Sequence, residues 1–101
     1  MKAKIFQKYA EKISNHFELT EGEIFQKSKR RDIVDARQLL YYMCANRPMR
    51  LRYIQEYMKQ NGYDIAHSSI LHGIDVVKQK VRHDEDYEWL ISKVKDECVI
   101  Q

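Results

Sequence analysis

Three glycines and one proline are all that 101 residues contain, so sharp turns are few and long stretches are left free to stay helical. The glycines, Gly22, Gly62 and Gly73, lie too far apart for a G-x-x-x-x-G-K phosphate loop, so no nucleotide or other cofactor is expected. The two cysteines, Cys44 and Cys98, have neither C-x-x-C spacing nor histidines at zinc-ligand spacing, and they read as reduced structural thiols with no metal. No apolar run is long enough to span a bilayer, and no low-complexity tract or internal repeat occurs. The opening "MKAKIFQKYAEKIS" lacks the apolar stretch and small-residue cleavage site of a secretory signal. A cytoplasmic protein with no membrane partner is therefore expected. The length suits one domain, 1–101.

Charge is present and unevenly placed. Residues 27–52 hold eight Lys and Arg against two Asp, net +6, while residues 84–101 hold two against six, net −4. A basic quarter of this kind is either a solvated helix surface or the footprint of a polyanion.

Apolar residues recur at helical spacing almost throughout, which predicts an all-α protein, a compact bundle of about six helices. The first helix is expected from Lys4 to Phe17, carrying Phe6, Tyr9, Ile13 and Phe17. In "LTEGEIF", Thr20 and Glu23 form a capping-box pattern at the start of a short helix. "KSKRR", residues 27–31, has nothing apolar to bury and reads as an exposed basic loop. Asp32 is the expected N-cap of a helix over 33–46, with Pro48 at or beyond its end. A helix over 50–60 should close at Gly62, the next should span 65–82 with Asp64 as cap, and the last should run from Glu85 to Val99, burying Tyr87, Leu90, Ile91, Val94 and Cys98.

Two short helices joined by a glycine-containing turn, the second opening on small polar residues, make a helix-turn-helix candidate. Residue identities sharpen it. "AHSSILHG", residues 66–73, resembles the D-H-T-T-V-L-H-A signature of the C-terminal DNA-binding domain of the bacterial replication initiator DnaA. "KSKRRDIVDARQLLYYM", residues 27–43, is similar to that family's basic loop and following helix. "ISNHFELTEGEIF", residues 13–25, and "DYEWLISKV", residues 86–94, resemble its entry and closing segments in the same order.

The resemblance implies sequence-selective binding of double-stranded DNA at initiator-type sites by a freestanding domain, of the kind expected from a phage or mobile element. It implies that His67, Ser68 and Ser69 begin the recognition helix and contact bases, and that the basic loop, Lys27, Lys29, Arg30 and Arg31, lies along the backbone with Lys29 or Arg30 in the adjacent minor groove. Physical chemistry agrees: short polar side chains in a first helical turn can approach base edges, and a cationic loop can follow a narrow groove. The match also suggests that His72 packs inside. Ala66 and Ile65 stand where the family has an acidic and a basic residue, and the longer turn "KQNGYD" replaces its G-G. No catalysis is expected, because adjacent residues on a helix do not face each other and no acid adjoins His67 to orient it. Two plainer readings stay open: Ser68 and Ser69 as local caps, and a protein-interaction module that meets a replication protein through Tyr41, Tyr42, Tyr53 and Tyr57.

Overall fold

The computed structural model describes residues 1–98. Its elements follow in the order α1 (Lys2–His16), a 3₁₀ turn (Glu23–Phe25), α2 (Arg31–Asn46), α3 (Leu51–Gln60), α4 (His67–His83) and α5 (Glu85–Glu97). Among the described residues there are thus five α-helices, where the apolar spacing suggests about six. The difference is the segment after Thr20. Its bonds from Phe25 N–H to Gly22 C=O and from Gln26 N–H to Glu23 C=O close single 3₁₀ turns, and the carbonyls of Gln26 and Ser28 accept from a side chain described below.

Several element ends also differ from expectation. Thr20 does not cap through its hydroxyl; both its N–H and its O–H donate to the Glu23 carboxylate, at 2.7 and 2.8 Å. α2 begins at Arg31 with Arg30 at the N-cap, so Asp32 lies inside the first turn, where its carboxylate accepts from the Ile33 N–H at 2.9 Å and faces the positive helix end. α4 begins at His67, not Ile65, and Asp64 does not cap it. The reason is local: the Gln55 amide donates to the Ile65 carbonyl at 2.8 Å, and Ala66 is extended. Val99, the expected end of the last helix, lies outside the described residues.

Gly62 performs the expected closure of α3. At φ +89° it takes the left-handed conformation, with Gly62 N–H on Lys59 C=O and Tyr63 N–H on Met58 C=O, both at 2.9 Å, the paired bonds of a Schellman motif. α1 ends the same way with Glu18 at the left-handed position, φ 56°. Pro48 follows α2, and Asp84 caps α5 by accepting from the Asp86 N–H at 2.9 Å.

α2 lies at the centre, against α1, α3, α4 and the 3₁₀ turn, while α5 closes over α1 and α4. Leu39, Leu40 and Met43 of α2 are buried with Phe6 and Ile13 of α1, Ile54 and Met58 of α3, Ile70 and Val77 of α4 and Val94 of α5. Tyr87 and Leu90 are half-buried at the rim. α4 packs tightly on α2 at Gly73, where a Cβ would stand 2.9 Å from Cδ2 of Tyr41. No helix among the described residues is long and apolar enough to cross a membrane.

Candidate nucleic-acid interface

The start of α4 is bare. His67, Ser68 and Ser69 are all exposed, Ala66 at the N-cap offers no acceptor, and none of the three side chains hydrogen-bonds to the described protein. The serines therefore do not act as caps. Backbone amides at the start of a helix attract anions, and here, where the Ser69 N–H turns back to the Ala66 carbonyl at 3.1 Å, no side chain among the described residues caps those of His67 and Ser68. One turn further, Leu71 is 49% exposed and His72 is also exposed. His72 thus faces solvent, contrary to the packing that the resemblance suggests. The phase of α4 explains it, because Ile70, Gly73, Ile74 and Val77 turn inward and leave Ser68, Leu71, His72 and Asp75 on the outer face.

The basic loop divides into held and free cations. Lys27 and Lys29 are exposed and form no ion pair among the described residues. Arg30 is held: Nε and Nη2 reach the two carboxylate oxygens of Asp32 at 2.8 and 3.1 Å, and Nη2 reaches Glu23 at 3.0 Å. These bonds keep the guanidinium charged, while both carboxyl groups stay below their ordinary range, Asp32 mainly through Arg30 and Glu23 mainly through Thr20. Arg31 opens α2 with 88% of its side chain exposed, 3.7 Å from Asp35. Asp35 is more firmly engaged by Lys80 of α4, at 3.1 Å, whose ammonium also donates to the Tyr87 hydroxyl at 3.3 Å.

Arg37 is the residue that sequence pattern missed. It is buried on α2, and its guanidinium donates to the carbonyls of Gln26 and Ser28, the second at 2.9 Å, while lying 4.6 Å from the ring centre of Tyr63. One side chain thus meets both the strand of chain that carries the basic loop and the turn that leads into α4. Sequence offered one signal for it, a lone Arg among buried-type residues in "DARQLL".

Other chemistry is sparse. Among the described residues no group of His, Cys, Asp and Glu is placed to hold a metal ion. Burial pushes both thiols up, that of Cys98 to about 11, so neither is a ready nucleophile. An open cleft of about 660 Å³ beside α1, lined by Gln7, Glu11, Ser14 and Asn61 among others, contains none of the DNA-contact residues expected from the sequence. The four tyrosines of the interaction reading do not form one open face: Tyr41 is 2% exposed beneath α4, and Tyr57 packs on Phe6 with ring centres 5.5 Å apart. No family model, curated protein or solved structure matches this chain.

Proposed function

We propose that this protein binds double-stranded DNA sequence-selectively, with α3, the turn 61–66 and α4 acting as a helix-turn-helix and no cofactor or catalysis involved. What carries the reading is the start of α4, where three polar side chains are exposed and no side chain among the described residues caps the amides of the first turn. In the major groove His67, Ser68 and Ser69 reach base edges, and the exposed Leu71 supplies an apolar contact of the kind a thymine methyl accepts. Lys27, Lys29 and Arg31 supply the sequence-independent attraction to phosphate, with Lys29 the cation for the minor groove, since Arg30 is engaged by two carboxylates. Arg37 sets the spacing between loop and helix. Together with the resemblance to the initiator's DNA-binding domain, this supports a cytoplasmic replication accessory or regulator that occupies initiator-type sites.

The test is a titration of His67→Ala and Ser69→Ala onto the preferred duplex and onto random duplex. Each substitution should reduce discrimination by roughly 1–3 kcal/mol while non-specific affinity stays nearly constant. Unchanged selectivity in both variants, with normal folding, would sink the assignment and favour a protein partner instead.

A further inference from the structure

Tyr53 has two cations over its ring. Lys2 Nζ lies 4.5 Å and the Arg52 guanidinium 4.8 Å from its ring centre, and Arg52 Nη2 donates to its hydroxyl at 3.1 Å. Arg52 first, then Lys2 and Arg50, hold the phenol below its ordinary pKa. None of these three cations has a carboxylate partner among the described residues. Like charges gathered in this way gain from an outside anion.

α1 measures the distance to the opposite kind of surface. Its 15 residues span about 22 Å, from Lys2 beside Tyr53 to His16. There the imidazole bonds Glu97 at 2.7 Å and meets the Trp89 indole edge-on, ring centres 6.4 Å apart. Trp89 is 60% exposed, an unusual state for the residue type most enriched among binding hot spots. On the outer face of α5 it shares a row with Glu85 and Asp96, with Glu88 nearby and Lys93 as the cation among them. Glu85, Glu88 and Asp96 form no ion pair among the described residues. An indole framed by carboxylates is a good receptor for a guanidinium, through ring quadrupole and charge together.

We propose that a second copy of this chain docks its Lys2, Arg50 and Arg52 cluster onto the Trp89 face of the first, so that copies associate head to tail along α1. The two surfaces differ, so the contact is heterologous, and each added copy leaves one complementary end free. The cluster is built from α1 and the start of α3, without His67, Ser68 or Ser69, so the proposal does not rest on the DNA-binding reading.

Sedimentation velocity of the full chain, without DNA, tests it at about 20 mM and about 500 mM salt. The expected result is a sedimentation coefficient that rises with protein concentration at low salt and returns to the monomer value at high salt. Trp89 is the chain's single tryptophan, so its emission should shift to the blue as copies associate. Arg52→Glu and Trp89→Ala, both at exposed positions, should each remain monomeric, with melting curves confirming that they fold. Their equimolar mixture should form a 1:1 dimer and nothing larger, because each variant brings one intact surface. A parent chain that stays monomeric throughout overturns the proposal, as does a mixture that behaves like the separate variants. If Arg52→Glu weakens binding to random duplex while self-association is absent or unchanged, the cluster is a phosphate contact and the proposal fails.

Discussion

The guanidinium carbon of Arg37 lies 4.6 Å from the ring centre of Tyr63, while the same side chain donates to the carbonyls of Gln26 and Ser28. Tyr63 is held there by the Schellman turn of α3, whose geometry depends on Gly62. Arg37→Met should therefore remove the charged donor from the Gln26 and Ser28 carbonyls and bare one aromatic face at once, with the Gln26 carbonyl keeping the Ser28 N–H at 2.9 Å. Hydrogen bonds from a charged donor contribute about 1.5–3 kcal/mol, so the melting temperature should fall by about 10 °C in a domain of this size. Arg37→Lys should recover part of that, since an ammonium offers a point charge without the fork that spans both carbonyls. Thermal unfolding checks the order parent, Lys, Met. Hydrogen exchange should quicken over residues 26–30 in Arg37→Met.

Gly73→Ala sets two effects against each other. Alanine gains about 1 kcal/mol of helix propensity over glycine. Its Cβ, however, would meet Tyr41 Cδ2 at 2.9 Å and Gln38 Cγ at 3.2 Å, and Tyr41 is 2% exposed with no room to swing out. Overpacking of this kind costs about 1–3 kcal/mol. The expected outcome is a net loss of about 1 kcal/mol by urea titration, relieved when Tyr41 is also made smaller. Tyr41→Phe, by contrast, removes a buried hydroxyl that has no partner among the described residues. It should leave stability unchanged or raise it by up to about 1 kcal/mol.

Acid should weaken the segment around Arg30. Glu23 accepts from Thr20 and Arg30, and Asp32 from Arg30 and the Ile33 N–H, and both carboxyl groups are below their ordinary values of 4.5 and 3.8. A carboxyl whose pKa is lower in the folded state stabilises that state above the unfolded pKa, and the contribution is lost as pH falls through the folded value. The loss should thus begin near pH 4.5 and deepen below it. Arg30 stays protonated throughout. Glu23→Gln should flatten the acid limb of melting temperature against pH, and added salt should shrink the difference, because these groups are solvated.

Periodicity made the helices legible, since Phe6, Tyr9 and Ile13, or Ile70, Ile74 and Val77, can share a face in no other regular structure. Gly62 was legible for the same reason, as a residue that can turn left where the pattern stops. Arg37 was not. An arginine inside an amphipathic pattern reads as surface, and its burial goes with two carbonyls of a preceding loop that accept from it, a tertiary contact without sequence period. Neither were the bonds of Arg30, whose partners lie two residues after and seven before it. Tyr41 and Tyr42 are neighbours of the same type, and only the crossing of α4 at Gly73 decides that the first is the buried one.

The division of the basic loop gives the last test. Each cation that replaces counterions on duplex DNA steepens log K against log salt by about 0.9. Lys29 is exposed with no ion-pair partner among the described residues, so Lys29→Ala should flatten the slope by about one unit. Arg30 is already neutralised by Asp32 at 2.8 Å and Glu23 at 3.0 Å, so Arg30→Ala should weaken binding by baring two carboxylates while changing the slope little. The double change Glu23→Gln and Asp32→Asn should do the opposite, releasing Arg30 to phosphate and steepening the slope. Binding to random duplex at several salt concentrations reads all three. If Arg30→Ala flattens the slope as much as Lys29→Ala does, Arg30 leaves its carboxylates when DNA arrives, and the minor-groove cation is Arg30 rather than Lys29.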